Sequence, residues 1–346
     1  MTINVGIIGC GDIAMNKHLP NLYKHPDVVV RGFYNRTRHK AVTAQAHFGG
    51  EQSLVYDTPE ALLNDKTIDA VYVLTANDTH ATFAIDALNA GKHVMVEKPM
   101  ARTLEEASQM VNAANENGAV LSVAYQNRHR GDVAALKQLI DQGTLGEIYA
   151  AKASSIRRRG IPTWGAFTNA EIQGGGPLID IGSHALDLVL YFMGHPPIAH
   201  ITGTTHAAIG PEGVSANRWG PWDPRAFGVE DSAFAFIKTN VGQSVFLEAS
   251  YALNEVNEGE NVITLYGSKA GARLSDKGVF VNWVNERFEE QRIDSEDRDA
   301  GYEEVATFIE ALKTNTAPPV KKEEAYMVNE IIEAVYQQNS NKNGAM

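Results

Sequence analysis

Ile3-Asn4-Val5-Gly6-Ile7-Ile8-Gly9-Cys10-Gly11-Asp12-Ile13-Ala14 opens the chain with an apolar run that reaches a glycine-spaced turn and then a helical pattern. A run apolar on both faces predicts an interior strand of a parallel sheet. The Gly9-x-Gly11-x-x-Ala14 spacing has a physical reading. The first glycine permits a tight turn, the second lets a pyrophosphate approach the backbone, and the helix N-terminus behind them offers amides and partial positive charge. Glycine spacing by itself is weak evidence, but strand, turn and helix in this order predict a dinucleotide site at Gly9, Gly11, Asp12, Ile13 and Ala14. Cys10, between the glycines, reads as a small filler beside the cofactor rather than a nucleophile.

Outward from this turn the same grammar repeats. Short apolar runs at Val28 to Phe33, Ala70 to Leu74, His93 to Val96 and Ala119 to Ala124 alternate with helical spacing at Asp78 to Ala90 and Leu104 to Asn117. Such alternation predicts a doubly wound parallel α/β sheet over residues 1–124. Gly91 and Gly118 fall just past the helical segments, where left-handed C-caps are expected. After Tyr125 the pattern changes. A helix is predicted from Val133 to Gln142 and an apolar one from Ile179 to Met193. Strands are predicted at Ile148 to Ser155, Ser232 to Ile237, Ser244 to Ala249 and Val262 to Tyr266, with a hairpin at Asn240 to Gly242. Residues 125–346 are therefore expected to form an α+β domain on a large, mostly antiparallel open sheet. Ala233, Ala235 and Ile237 share one face of a strand and Phe234 and Phe236 the other, which suits helices on one side and a partner subunit on the other.

Composition narrows the function classes. The 346 residues suit two domains, and 44% hydrophobic with 21% charged residues describes a globular chain. The net charge of -12 argues against nucleic acid or an anionic membrane as partner. One cysteine excludes an internal disulfide framework and any CxxC motif. No run is long and apolar enough to span a bilayer, and the first strand begins near Met1, so a cytoplasmic location is expected. The sequons at Asn35 and Asn77 then carry no meaning. Thr205 to Val229, with Trp219 and Trp222, is an irregular loop expected to be ordered, as a lid or a subunit contact. Asn339 to Met346 is a polar tail expected to fray.

Four further segments carry candidate chemistry. Val94-Met95-Val96-Glu97-Lys98-Pro99 ends a strand in a lysine stiffened by proline, at the strand end where open α/β sheets bind ligands. The bland reading is a polar strand terminus. After the second strand, Asn35 replaces the acidic residue that would hold a ribose 2′-hydroxyl, with Arg36 and Arg38 following. Without the repelling charge the expectation leans to NADP or dual use, while Arg36 stacked on adenine would leave NAD binding intact. Thr75 and Asn77 stand at the fourth strand's end, where Asn77 or Asp78 also suits helix capping, and His80 has cofactor and structural readings. Lastly, Gly174-Gly175-Gly176-Pro177-Leu178-Ile179-Asp180-Ile181-Gly182-Ser183-His184 places Asp180 and His184 four residues apart on one helical face. A carboxylate there orients an imidazole that serves as general base. A helix cap with a surface pair and a metal site compete, although no further ligands are advertised and no metal is expected.

The Gly9-to-Ala14 turn, Glu97-Lys98-Pro99 and the Gly174-to-Asp187 block together resemble the Gfo/Idh/MocA oxidoreductase family over nearly the whole chain. The resemblance implies an N-terminal Rossmann domain and a C-terminal domain that binds substrate and forms a homodimer or homotetramer through its open sheet. It implies NAD(P)-dependent hydride transfer to or from a hydroxyl of a sugar, sugar derivative or cyclitol, with Lys98, Asp180 and His184 on the catalytic positions. Glu97, Lys98, Pro99 and Asn127 join the expected cofactor contacts, and Arg159, Trp164 and Tyr251 are substrate candidates. Two departures stand out: Asn35, and the polar run Tyr125-Gln126-Asn127-Arg128 where many relatives carry an arginine-aromatic pair. Arg157 to Trp164 suits a polyol or carboxylated sugar, or is simply a solvated basic loop. A cofactor-recycling glycoside hydrolase of the same fold and a non-catalytic dinucleotide sensor are the competing functions.

Overall fold

The structure, a computed structural model, describes residues 1–213, 216–256, 259, 261–284 and 288–343. Two compact units emerge: Met1–His129 with Asp299–Asn329, and Arg130–Arg298 with the chain from Glu330 onward.

The first unit is built on a six-stranded parallel sheet of β1 (Ile3–Ile8), β2 (Val28–Tyr34), β3 (Leu54–Val55), β4 (Ala70–Val73), β5 (His93–Val96) and β6 (Leu121–Val123). Their order is β3-β2-β1-β4-β5-β6, the dinucleotide-binding order whose direction of winding reverses between β1 and β4. The crossovers carry α1 (Leu19–Lys24), α2 (Arg38–Phe48), α3 (Pro59–Asn64), α4 (His80–Asn89) and α5 (Leu104–Glu116). β1 and β4 are almost wholly buried, the burial that their unbroken apolar character requires. Gly91 and Gly118 hold the expected positive φ angles of 75° and 60° past α4 and α5.

The second unit starts with α6 (Gly131–Asp141) and contains β7 (Ile148–Ile156), α7 (Ala170–Gln173), α8 (Ser183–Met193), β8 (Ile198–His206), β9 (Ser232–Thr239), β10 (Ser244–Ser250), β11 (Asn261–Gly267), β12 (Ala270–Ser275), β13 (Gly278–Val284) and β14 (Phe288–Ile293). The eight strands order as β14-β13-β12-β11-β7-β10-β9-β8, antiparallel except for β7 with β10. Sequence patterning singled out four of them. β8 and β12 to β14 were not among them, and one sheet face is left open. On that face Phe236 sits directly opposite Phe246 with ring centroids 5.0 Å apart, and Phe246 is 51% exposed. Ala233, Ala235 and Ile237 turn to the buried face.

Residues Asp299–Asn329 depart from the simple two-part division. α9 (Ala300–Thr314), capped by Asp299 on Tyr302 N, sends Val305, Phe308 and Ile309 into the core of the first unit with Ile3, Val5, Ile7 and Phe33. Their spacing makes one apolar helix face, and that face is what recruits the segment. Truncating Phe308 to Ala would cost about 3–5 kcal/mol. α10 (Lys322–Asn343) extends into the region expected to fray at Asn339, and residues 344–346 lie outside the described residues. Among the described residues no helix is long and apolar enough to cross a membrane, and no group of three or more His, Cys, Asp or Glu could hold a metal ion.

Candidate active site

The nucleotide turn follows β1 directly. Gly9 adopts φ +100°, and a Cβ there would stand 2.5 Å from Leu74 O, so only glycine closes this turn against β4. At Gly11 a Cβ would meet nothing within 4 Å, which leaves the open space a pyrophosphate needs. Asp12 and Ile13 are exposed beside it, and Ala14 is buried as the start of a π-helical turn over Ala14–His18. These residues fit a dinucleotide. Burial pushes the Cys10 thiol up to about 12, which removes it as a nucleophile.

Asn35 has a role that its position alone did not reveal. Its side-chain oxygen accepts from Cys10 N at 2.9 Å and its amide donates to Thr37 O at 3.0 Å, so it ties the glycine turn to the end of β2. Arg36 is exposed beyond it, and Arg38 pairs with Asp57. Thr75 and Asn77 are half-buried past β4, where the Thr79 hydroxyl donates to Thr75 Oγ1. His80 is buried with Nδ1 2.8 Å from Pro99 O and Nε2 3.1 Å from Thr75 O. It therefore staples the end of β4 to the Glu97-Lys98-Pro99 segment. Burial lowers its pKa, against the opposing effect of those two carbonyls.

Lys98 follows β5 and enters a cis peptide with Pro99. Its backbone amide donates to Glu97 Oε2 at 3.0 Å, and Glu97 Oε1 lies 3.0 Å from Lys17 Nζ and 2.7 Å from His18 Nε2. The π-helical turn after the glycines supplies both of these partners. Lys17 also reaches Glu304 of α9 at 3.2 Å. Burial alone would raise the Glu97 carboxyl, but the charges of Lys17 and Lys98 and the His18 contact outweigh it and hold it well below the usual range. Glu304, buried with weaker compensation, moves upward instead. The polar-terminus reading of Glu97 thus gives way to a buried ionic anchor under the lysine. Asn127 is half-buried in a 3₁₀ turn over Gln126–His129, and its neighbour Arg128 is spent on Glu324 Oε2 at 2.5 Å.

In the second unit the glycine block is packed, not loose. Glu230 accepts from Gly176 N at 2.8 Å, Leu178 N at 3.0 Å and Tyr336 Oη at 2.8 Å, which fixes the start of a π-helical turn over Leu178–Gly182. A Cβ on Gly176 would collide with Glu230 O at 2.3 Å. Asp180 lies in that turn and His184 in the first turn of α8, so the two sit across a change of helical pitch rather than on one regular α-helical face. Tyr251, immediately past β10, donates to Asp180 Oδ2 at 2.7 Å and is fully buried. Its part is therefore to hold Asp180.

Arg159 is engaged in structure. Its guanidinium donates to Arg158 O at 2.7 Å, to Leu253 O at 3.1 Å and to Asn254. Sequence reasoning took Arg157 only as part of the basic run Arg157 to Trp164; the structure sets its guanidinium 5.1 Å from the Trp219 ring and 5.6 Å from the Tyr251 ring. Trp164 is 51% exposed and meets Trp219 edge-on at 5.0 Å. The 205–229 loop is ordered where described: Asn217 clasps both Ile161 N and Ile161 O, Asp231 accepts from Ile209 N and Gly210 N, and Trp222 donates to Gly210 O.

Residues 3–125 match the family described as "Oxidoreductase family, NAD-binding Rossmann fold", and residues 133–273 match the "GFO/IDH/MocA C-terminal domain". The chain is 33% identical to D-glucoside 3-dehydrogenase of Escherichia coli (strain K12) over 97% of its own length and 95% of that protein's. It is 27% identical to scyllo-inositol 2-dehydrogenase (NADP(+)) IolW of Bacillus subtilis (strain 168), covering 100% of this chain and 96% of the relative. Levoglucosan dehydrogenase in complex with NADH shares its fold, with a TM-score of 0.84, 21% identity, and 99% of this chain and 98% of that chain covered. The glycine turn on β1, the anchored Lys98 and these full-length matches agree, and the chain belongs to the Gfo/Idh/MocA oxidoreductase family.

Proposed function

We propose that this chain is an NAD(P)-dependent oxidoreductase that moves a hydride between nicotinamide and a secondary hydroxyl or keto group of a sugar, sugar derivative or cyclitol. The observation that carries the reading is the anchored lysine. Lys98 stands at the carboxyl end of β5 with its backbone fixed by a buried, ionised Glu97, itself tied to the helix that leaves the dinucleotide turn. A mere binder of dinucleotides has no use for that arrangement.

The bound nicotinamide supplies the hydride acceptor or donor. Gly9, Gly11, Asp12, Ile13 and Ala14 cradle the dinucleotide, with Thr75, Asn77 and Asn127 as further contacts. Lys98 donates a hydrogen bond to the carbinol oxygen and stabilises the charge that grows there. His184 takes the hydroxyl proton, and Asp180, held by Tyr251, orients the imidazole. Asn35 places no charge against a 2′-phosphate and Arg36 is exposed nearby, which favours NADP or dual use. Residues 1–124 carry the nucleotide function, and the second domain carries substrate binding and assembly.

The open face of the eight-stranded sheet, with Phe246 half exposed against Phe236, supports a homodimer or homotetramer formed through that sheet.

A panel of cyclitols and sugars, each with NAD and NADP, tests the function. Nicotinamide reduction by at least one member is expected. No absorbance change with any sugar, together with release from aryl glycosides, would transfer the chain to the cofactor-recycling hydrolases. Dinucleotide binding without either activity would make it a sensor.

A further inference from the structure

We propose that the Arg157 guanidinium is the receptor for an anionic substituent, a carboxylate or phosphate, on the sugar substrate. The inference rests on the oxidoreductase reading and narrows its substrate class. Arg157 follows β7, and its backbone amide bonds Ser250 O, so the residue is fixed beside Tyr251. Its side chain folds over Gly160, where a Cβ would come within 2.7 Å of Arg157 Cδ, and Nη1 donates to Gly160 O at 3.3 Å. The guanidinium lies 5.1 Å from the Trp219 ring and 5.6 Å from the Tyr251 ring.

Aromatic faces hold a guanidinium without using up its donor edge, because stacking acts through the plane and hydrogen bonding through the rim. Among the described residues no carboxylate lies within 4.0 Å of Arg157, and none pairs with Arg158, Arg159 or Arg218. Among the described residues these four arginines have no carboxylate partner, and in a chain of net charge -12 they concentrate positive charge beside Tyr251. Arg218 sits 5.7 Å from the same Trp219 ring, and its backbone amide bonds Arg159 O, which brings the basic groups together. Tyr251 links the cluster to the proposed centre, since the ring beneath Arg157 carries the hydroxyl bonded to Asp180. A planar fork that gives only Nη1 to Gly160 O among its described hydrogen bonds, one aromatic ring from Asp180, matches a carboxylate or phosphate in shape and charge.

The test titrates the wild-type protein and Arg157→Gln with glucose, glucuronate and glucose 6-phosphate in the presence of NADP, following tryptophan emission, which Trp164 and Trp219 make sensitive to this region. The wild-type protein is expected to bind at least one anionic sugar about 10-fold or more tighter than glucose, with the difference shrinking as salt is added. Glucuronate alone favoured assigns a carboxylate, and glucose 6-phosphate alone a phosphate. Arg157→Gln should erase the preference, and Arg157→Lys, which keeps the charge without the fork, should retain part of it. Glucose bound as tightly as both anions, binding of neither anion, or a preference that survives in Arg157→Gln overturns the proposal. Nicotinamide reduction is scored separately. Anion preference without any turnover would remove the assigned reaction and leave the subsite, whereas turnover of neutral sugars without anion preference would remove the subsite alone.

Discussion

Tyr251 donates a 2.7 Å hydrogen bond to Asp180 Oδ2 from a fully buried position. Burial first, and then the charge of Asp180, push the phenol well above its usual range, so it remains a donor at every working pH. Tyr251→Phe keeps the ring and removes the donor. A loss of about 1.5–3 kcal/mol is expected where a hydrogen bond to a charged group disappears, which corresponds to a roughly 10- to 100-fold fall in kcat. Steady-state kinetics beside a dinucleotide titration checks this. An unchanged kcat would remove Tyr251 and Asp180 from the proposed mechanism.

Lys98 is the second target. Lys98→Ala should lower kcat by at least ~10²-fold, since it removes both a positioned donor and a charge from the reacting oxygen. Dinucleotide affinity should stay within a few-fold, because the Glu97 contact uses the Lys98 backbone amide, which the variant keeps. Nicotinamide fluorescence separates the two effects.

Cofactor choice is tested at Asn35. Asn35→Asp preserves the acceptor for Cys10 N and loses the donation to Thr37 O. It also sets a negative charge where a 2′-phosphate would lie. The ratio of kcat/KM for NADP over NAD is expected to fall by about 10-fold or more. A ratio that does not move would place the 2′-position elsewhere.

Acid sensitivity follows from groups of the first unit that bind protons less readily when folded, among them the half-buried His129 and the buried His80 and Glu97. Burial first, and then Arg128 and Lys17, bring His129 down from 6.5 to about 4. Between those values the unfolded chain binds the proton that the folded one refuses, so stability is full above 6.5 and falls as pH drops towards 4. The full loss is about 3 kcal/mol. Glu97, held well below its ordinary value, adds a loss that begins only below about pH 4.5. The thermal midpoint should therefore fall in two stages on acidification. His129→Asn should flatten the upper stage, and an unchanged pH profile in that variant would clear His129 of the effect.

Assembly is tested on the open sheet face. Phe246→Lys places a charge opposite Phe236 on a face where Phe246 is already half exposed. Light scattering should show a smaller species than the wild type, with circular dichroism unchanged. A wild-type monomer would sink the proposed interface.

Most of the parallel sheet was legible because its central strands are buried on both faces and announce themselves within a few residues, as β1 and β4 do, whereas the two-residue edge strand β3, with Leu54 exposed, left no such run. The glycine turn was legible because it depends on spacing along the chain; the positions of Lys98 at the end of β5 and of Asp180 and His184 four residues apart were legible too, but not the π-helical turn that ends between the latter two. β8 and β12 to β14 went unassigned: β8 has no buried position along its length, and β12 and β13, though they alternate buried and exposed residues, are short runs that contain or begin with glycine.

What the amino-acid order alone determined is the local grammar: a dinucleotide turn on a parallel sheet, a lysine closing β5, a carboxylate and an imidazole four residues apart. Tertiary structure decided which side chains serve which others. It drew Glu304 of α9 onto Lys17, turned Asn35 inward to the glycine turn, spent Arg159 on carbonyls, and laid Trp219 over Arg157. These pairings join residues far apart in the chain. Burial and the need to satisfy buried polar groups choose them, and no local periodicity encodes that choice.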